Sequence, residues 1–205
     1  MFFQSCVSLL LAASYVQYAS AATVLAHFMV ANSYAYNMSN PETQQWEDDM
    51  AAAKQMGVDG FALNWASPEC SAPYLDWMED RIDLAFTAAE AMDFKLVYSF
   101  DMGASDCEFY WNQTFMASMI NKYAGSSAML RWNTNIVVTT FGGDTVDQYG
   151  DEFFAGLKTM MKNDNNAISL VPGLTSFSNA AQSDANTAAS NMLSQYPSMD
   201  GFLNC

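Results

Sequence analysis

Basic residues are scarce in this chain: 7 lysines and arginines stand against 22 acids, for a formal charge of −15 over 205 residues. Nucleic acids and anionic membranes are gripped by basic patches, so neither is expected as a partner. A neutral ligand is compatible, although an acidic surface also simply keeps a protein in solution. Histidine is rarer still, with His27 the single example. A Ser-His-Asp arrangement would have to use it, and a multi-histidine metal site cannot be built. No Gly-x-Ser-x-Gly, His-Glu-x-x-His or Cys-x-x-Cys occurs, and no metal or other cofactor is expected.

Charge is missing altogether from the first 41 residues, Glu42 being the first acid. Within that stretch Met1–Ala21 lacks a basic start but carries an apolar run over Cys6–Ala13 and ends in Ala19-Ser20-Ala21. It reads as a signal peptide (residues 1–21), too short and too interrupted for a membrane anchor. Secretion permits disulfides and glycans. Cys70, Cys107 and Cys205 remain after the leader, with a Cys70–Cys107 bridge possible and the pairing open. Asn37-Met38-Ser39 and Asn112-Gln113-Thr114 are candidate glycan sites.

What is present is a regular beat. Apolar or β-branched runs fall at 23–30, 58–64, 94–100, 135–141, 167–171 and 199–203, and they read as buried parallel strands, apolar on both faces. Helical stretches lie between them, at about 43–56, 76–92, 112–123, 145–161 and 179–193. Pro41 suits an early helical turn, Gly57 suits a helix stop, and Ile82, Ala85, Phe86 and Ala89 mark one apolar helix face. Strand–helix alternation without linkers means a single α/β domain with a parallel sheet over residues 22–205. The first strand runs into Ala31-Asn32-Ser33-Tyr34 with no glycine, against a dinucleotide-binding open sheet. A repeat of about 35 residues is close to the roughly 31 of a (β/α)8 TIM-type barrel of some 250 residues. About six βα units fit, so the expected fold is an incomplete barrel.

Barrels place their chemistry where strands end at the C-terminal face. The residues there are Asn32 and Tyr34, Asn64 and Trp65, Ser99 and Asp101, then Gly142, Gly143 and Asp144. Amides, carboxylates and aromatics of this kind suit a sugar, rings stacking on its apolar face and polar groups bonding its hydroxyls. Asp101, at the mouth of an otherwise apolar strand, is the candidate catalytic acid, base or stabiliser, the alternative being a loop cap. His27 is either a ligand of the substrate or a satisfied core residue. Asp106, Glu108 and Asp144 are weaker candidates, while Asp59 and Asp200 precede their strands and read as structural.

Six short motifs in order carry a family likeness. They are Ala26-His27-Phe28-Met29-Val30 with Asn32 and Tyr34; Gly57-Val58-Asp59-Gly60-Phe61-Ala62-Leu63-Asn64; Phe94-Lys95-Leu96 leading to Ser99-Phe100-Asp101-Met102; Thr140-Phe141-Gly142-Gly143; Val171-Pro172; and Asp200-Gly201-Phe202-Leu203. Together they resemble glycoside hydrolase family 71, the fungal α-1,3-glucanases or mutanases. The resemblance implies a secreted, extracellular or cell-wall enzyme that hydrolyses α-1,3-glucan with inversion and without a metal. Inversion needs two carboxyl groups roughly 6.5–9.5 Å apart. The likeness makes Asp101 an active-centre acid and His27 and Asn64 sugar-lining residues, beside Asn32, Tyr34 and Trp65, which their places at the strand ends make candidate sugar-binding residues. It also implies an absence: the family's principal Asp and Glu lie in a Trp-Asn-Asp-aromatic-Gly-Glu segment that this sequence does not contain. Gly173-Leu174 also replaces an aromatic usual in the family. The expectation is a chain inactive by itself, the competing readings being a noncatalytic secreted α-glucan-binding protein and an unrelated barrel acting on another α-glucan.

Overall fold

A computed structural model describes residues 23–36, 42–66, 75–103, 111–144, 147–174 and 185–201. The leader, the four cysteines, Pro41, Asn37, Asp106 and Glu108 lie outside those residues.

Five strands form one parallel sheet: β1 (Leu25–Met29), β2 (Gly60–Ala66), β3 (Lys95–Asp101), β5 (Asn135–Phe141) and β6 (Ile168–Leu170). Helices α1 (Gln44–Gln55), α2 (Leu75–Met92), α3 (Gln113–Lys122) and α4 (Asp151–Asn163) alternate with them, and α5 (Ala185–Gln195) follows β6. Each parallel strand pairs with the next one in sequence, so the order never reverses as it does in a doubly wound sheet. The sheet also curls. His27 on β1 and Phe141 on β5 have β2 and β3 between them, which in a flat sheet puts their backbones about 14 Å apart. Their ring centroids are nevertheless 5.4 Å apart. The architecture is a partial β/α barrel.

The helices stop where the sequence makes them stop. At the end of α1, Val58 N–H bonds Ala53 C=O and Gly57 N–H bonds Lys54 C=O, with Gly57 at φ +80°. This is a Schellman closure, for which glycine has no steric penalty. Asp93 (φ +46°) and Asn165 (φ +61°) close α2 and α4 the same way, with Phe94 N–H on Ala89 C=O and Asn166 N–H on Met161 C=O. Helix α4 starts at Asp151 and not near Thr145, because Asp147–Tyr149 form a separate 3-10 turn and Gly150 is extended.

Two aspartates tie the segments that carry them onto the edge of a neighbouring strand segment. Asp59 accepts from Val24 N–H at 2.8 Å and returns its own N–H to Val24 C=O. Asp200 does the same to Leu170, with Lys158 Nζ 2.7 Å from its carboxylate. Both therefore serve the frame, although only Asp59 precedes an observed strand. Met199–Gly201, expected to open a strand, is not one; Phe202 and Leu203 lie outside the described residues.

The strands are not apolar on both faces. Residues paired across parallel strands share a face, and the register aligns Phe61 with Leu96, Leu63 with Tyr98 and Trp65 with Phe100. These apolar residues, with Ile136, Val138, Ile168 and Leu170, pack into the core under the helices. The inner face instead carries Ala62, Asn64, Val97, Ser99, Thr139 and Ser169, all buried and mostly small or polar. Strands such as Phe-Ala-Leu-Asn-Trp-Ala alternate large with small or polar, a period of two masked by the apolar count.

A short strand, β4 (Arg131–Trp132), was not foreseen. β3 and β5 pair only from Tyr98 and Val138 onward, and the segment before β5 fills the wedge below. Leu96 N–H bonds Ala128 C=O, Leu130 N–H bonds Leu96 C=O and Val137 N–H bonds Leu130 C=O. The hairpin tip puts Asn133 at φ +49° and Thr134 at φ +75°, the second a strained setting for a β-branched residue. Arg131 Nη1 holds it by donating to Thr134 C=O at 2.8 Å.

Candidate functional site

At the C-terminal ends of the strands the curl gathers three of the foreseen residues on the inner face. Asn64 ends up next to Asp101 because β2 and β3 pair in register from Gly60 with Lys95 to Ala66 with Asp101. His27 joins from β1, two residues short of the Met29–Asn64 pair, and Phe141, aligned with Asp101 across β3 and β5, closes the group with its ring. Phe141 lies in one of the family-like motifs but was not named as a site residue. Its place at the end of a strand, in register with Asp101, was the available signal.

Asp101 is half-buried, and burial pushes its carboxyl above the usual carboxylate range. The Gly103 N–H, which donates to Oδ1 at 3.1 Å, the Asn64 side chain and the charge of His27 pull the other way and only partly offset it. A carboxyl placed like this retains a proton more readily than a free one, which suits hydrogen-bond donation or acid catalysis. Asn64 is 4% exposed; its side chain interacts with the Asp101 carboxyl, but among the described residues its Nδ2 meets no partner at full hydrogen-bond geometry. An amide hydrogen left unsatisfied in a buried position costs about 1–3 kcal/mol, a cost that a ligand oxygen can remove.

The mouth is held by backbone packing. Met102 N–H bonds Phe141 C=O, and Gly142 N–H bonds Gly173 C=O. A side chain at Gly142 (φ +67°) would start 3.2 Å from Gly103 Cα, and one at Gly143 (φ +102°) 2.9 Å from Met102 Cβ. Two loops can interlock this tightly only through glycine. Trp111, another residue not foreseen, braces Asp101 from behind: its Nε1 donates to the Asp101 carbonyl at 2.8 Å, and its own N–H bonds Tyr149 Oη at 2.6 Å. Leu174, after the Gly173 that bonds this mouth, is buried.

The remaining foreseen residues lie elsewhere. Asn32 and Tyr34 are exposed on the 3-10 turn Val30–Ala35 that leaves β1, with Tyr34 70% exposed and edge-on to Trp77 at 5.5 Å. They stand on the rim. Trp65 is not brought to the site at all. Its strand neighbour Asn64 takes the inner face, so Trp65 turns to the helix layer, 1% exposed against Trp111 and Phe115. Asp144 follows the second glycine without joining the inner face of a strand.

Comparison with known proteins agrees with this geometry. Residues 20–204 match the profile described as glycosyl hydrolase family 71. The chain is 30% identical over 188 residues to the glucan endo-1,3-α-glucosidase agn1 of Schizosaccharomyces pombe, covering 88% of this chain and 40% of that protein. It is 34% identical over 125 residues to a mutanase of Penicillium rubens, covering 60% of this chain and 24% of the mutanase. An ascus wall endo-1,3-α-glucanase of Schizosaccharomyces pombe is 26% identical over 140 residues, 68% of this chain and 29% of that one. The chain thus spans less than half the length of these relatives. Among solved structures, a glycoside hydrolase-like protein matches with a TM-score of 0.55 at 12% identity, over 73% of this chain and 50% of its own. A GH99 endo-α-mannosidase from B. thetaiotaomicron matches with a TM-score of 0.56 at 10% identity, over 87% and 57%. At such identities these two speak for the fold alone.

Proposed function

Because the chain belongs to glycosyl hydrolase family 71, we propose that it is the sugar-gripping part of a secreted α-1,3-glucanase barrel, binding the polymer at the mouth formed by His27, Asn64 and Asp101. The observation that carries this reading is Asn64, a buried amide beside a carboxyl biased toward its protonated form, whose Nδ2 meets no partner at full hydrogen-bond geometry among the described residues. One donor and one switchable donor–acceptor, next to the Phe141 ring, suit a pyranose with hydroxyls on its edge and an apolar face. Asn32 and Tyr34 on the rim would meet sugar units beyond that centre. The substrate class comes from the relatives, whose names specify 1,3-α-glucan.

The chemistry proposed is inverting hydrolysis, in which one carboxyl protonates the leaving oxygen while a second activates water. Asp101 can serve as one of the two. Among the described strand residues it is the single acid on the inner face, and the outcome expected of these 205 residues by themselves is glucan binding without cleavage. Secretion to the medium or the cell wall rests on the leader-like Met1–Ala21 and on a relative named for the ascus wall. No helix among the described residues is long and apolar enough to cross a membrane.

The test is to mix the full 205-residue chain with insoluble α-1,3-glucan and, separately, with cellulose. Retention by the α-glucan alone, with no release of reducing sugar, is the expected result. Clear turnover would overturn the noncatalytic assignment, and equal retention on cellulose would overturn the substrate class.

A further inference from the structure

We propose that Asn112 carries an N-linked oligosaccharide. This inference rests on passage through a secretory compartment and is independent of the glucan site. The acceptor triplet is Asn112-Gln113-Thr114, in which the asparagine amide nitrogen is the nucleophile and the hydroxyl at the third position is required. Triplets of this kind are common by chance. Here the fold presents the three side chains in the pattern a glycan needs.

Asn112 is exposed and extended (φ −110°, ψ 149°) at the start of α3, and its Oδ1 accepts from Phe115 N–H at 2.8 Å as the helix cap. With Oδ1 committed, Nδ2 is turned the other way, and among the described residues nothing bonds it. Thr114 is exposed as well. The residues between and before them do the anchoring: Gln113 Nε2 donates to Phe153 C=O at 2.6 Å, and Trp111 is 3% exposed with both its N–H groups bonded. The segment is therefore fixed through its inward residues and open at the two that the modification uses.

In the transfer, Nδ2 attacks C1 of a lipid-diphosphate-linked oligosaccharide. The C1–O bond breaks and its electron pair leaves with the lipid diphosphate, while the amide gives one proton to a base of the transferase. No redox change occurs. The product is still an amide with a free Oδ1, so the bond to Phe115 N–H, and with it the helix cap, survives. The sugar then stands at the start of α3, one residue from the Trp111 that braces Asp101, on the helix side of the rim.

The full chain with its own leader is expressed in a fungal host, and protein from the secretory fraction is treated with an amidase that releases N-glycans in ¹⁸O-water. Peptide mass spectrometry is expected to find Asn112 converted to ¹⁸O-labelled Asp. Thr114→Ala is expected to abolish the label and the glycan-dependent mobility shift, while Thr114→Ser keeps both. The threonine variants leave the Asn112 cap in place, so loss of the glycan is separated from loss of the fold. Unmodified Asn112 in the secretory fraction, or a chain confined to the cytosol, would overturn the proposal. Neither result bears on glucan binding, which is measured with the isolated protein.

Discussion

Asp101→Asn is expected to weaken retention on α-1,3-glucan about 10- to 100-fold and at the same time to raise Tm at neutral pH. The binding loss follows from exchanging a carboxyl that makes charge-assisted hydrogen bonds, worth about 1.5–3 kcal/mol each, for a neutral amide. The stability gain follows from burial. An acid whose pKa in the folded chain lies above its unfolded value, as burial makes it for Asp101, binds protons more tightly in the native state. Native stability therefore rises as the pH falls through the folded pKa and is lost as the pH rises past it. At neutral pH the carboxylate is a net cost to the fold, and asparagine removes it. Binding isotherms and thermal melts of the two proteins at neutral and mildly acidic pH check both halves. The wild type should approach the stability of the variant as the pH drops. An asparagine variant that binds as well as wild type would remove Asp101 from the site.

Trp65→Ala is expected to cost about 3–5 kcal/mol, the usual penalty for truncating a fully buried large aromatic, because the ring fills the space between β2, Trp111 and Phe115. Against a total stability of about 5–15 kcal/mol, that is enough to bring the domain close to unfolding at moderate temperature. Glucan retention per folded molecule is expected to change by less than about twofold, since the indole faces away from the mouth. Trp65→Phe keeps the ring contacts and dispenses with an indole N–H that has no hydrogen-bond partner among the described residues, so its loss should be well below that of alanine. Denaturant titrations alongside binding measure the two effects separately, and a large binding defect in a stable Trp65→Phe protein would contradict this placement.

The contrast between Asn64 and Trp65 shows where reading the sequence works and where it stops. Both stand at the end of an apolar run, and both are residue types that grip sugars. Only the alternation of faces separates them, and assigning the faces needs the register of β2 against β3 and a view of which side the helices cover. The strand cores themselves were legible: Asn135–Phe141 is a strand with the foreseen ends, and Ile82, Ala85, Phe86 and Ala89 are all buried. Gly57 was legible because a left-handed helix stop prefers glycine, whereas Asp93 and Asn165 do the same work without that signature. The wedge β4 was invisible, being two residues long and formed because β3 and β5 diverge. The roles of Phe141 and Trp111 escaped the sequence for a related reason, since they arise from curvature and from a contact ten residues away.

The Asn64 side-chain amide is the most direct reporter of the central claim that the inner-face mouth is where glucan binds. Its two Nδ2 proton resonances can be followed by NMR as an α-1,3-linked gluco-oligosaccharide is titrated into the labelled 205-residue chain, with a β-1,4-linked one as control. The predicted result is a saturable shift of the Asn64 amide and the His27 ring with the α-1,3 ligand alone, while the Trp65 indole stays in place. Saturable binding that leaves Asn64 and His27 unshifted would contradict the account.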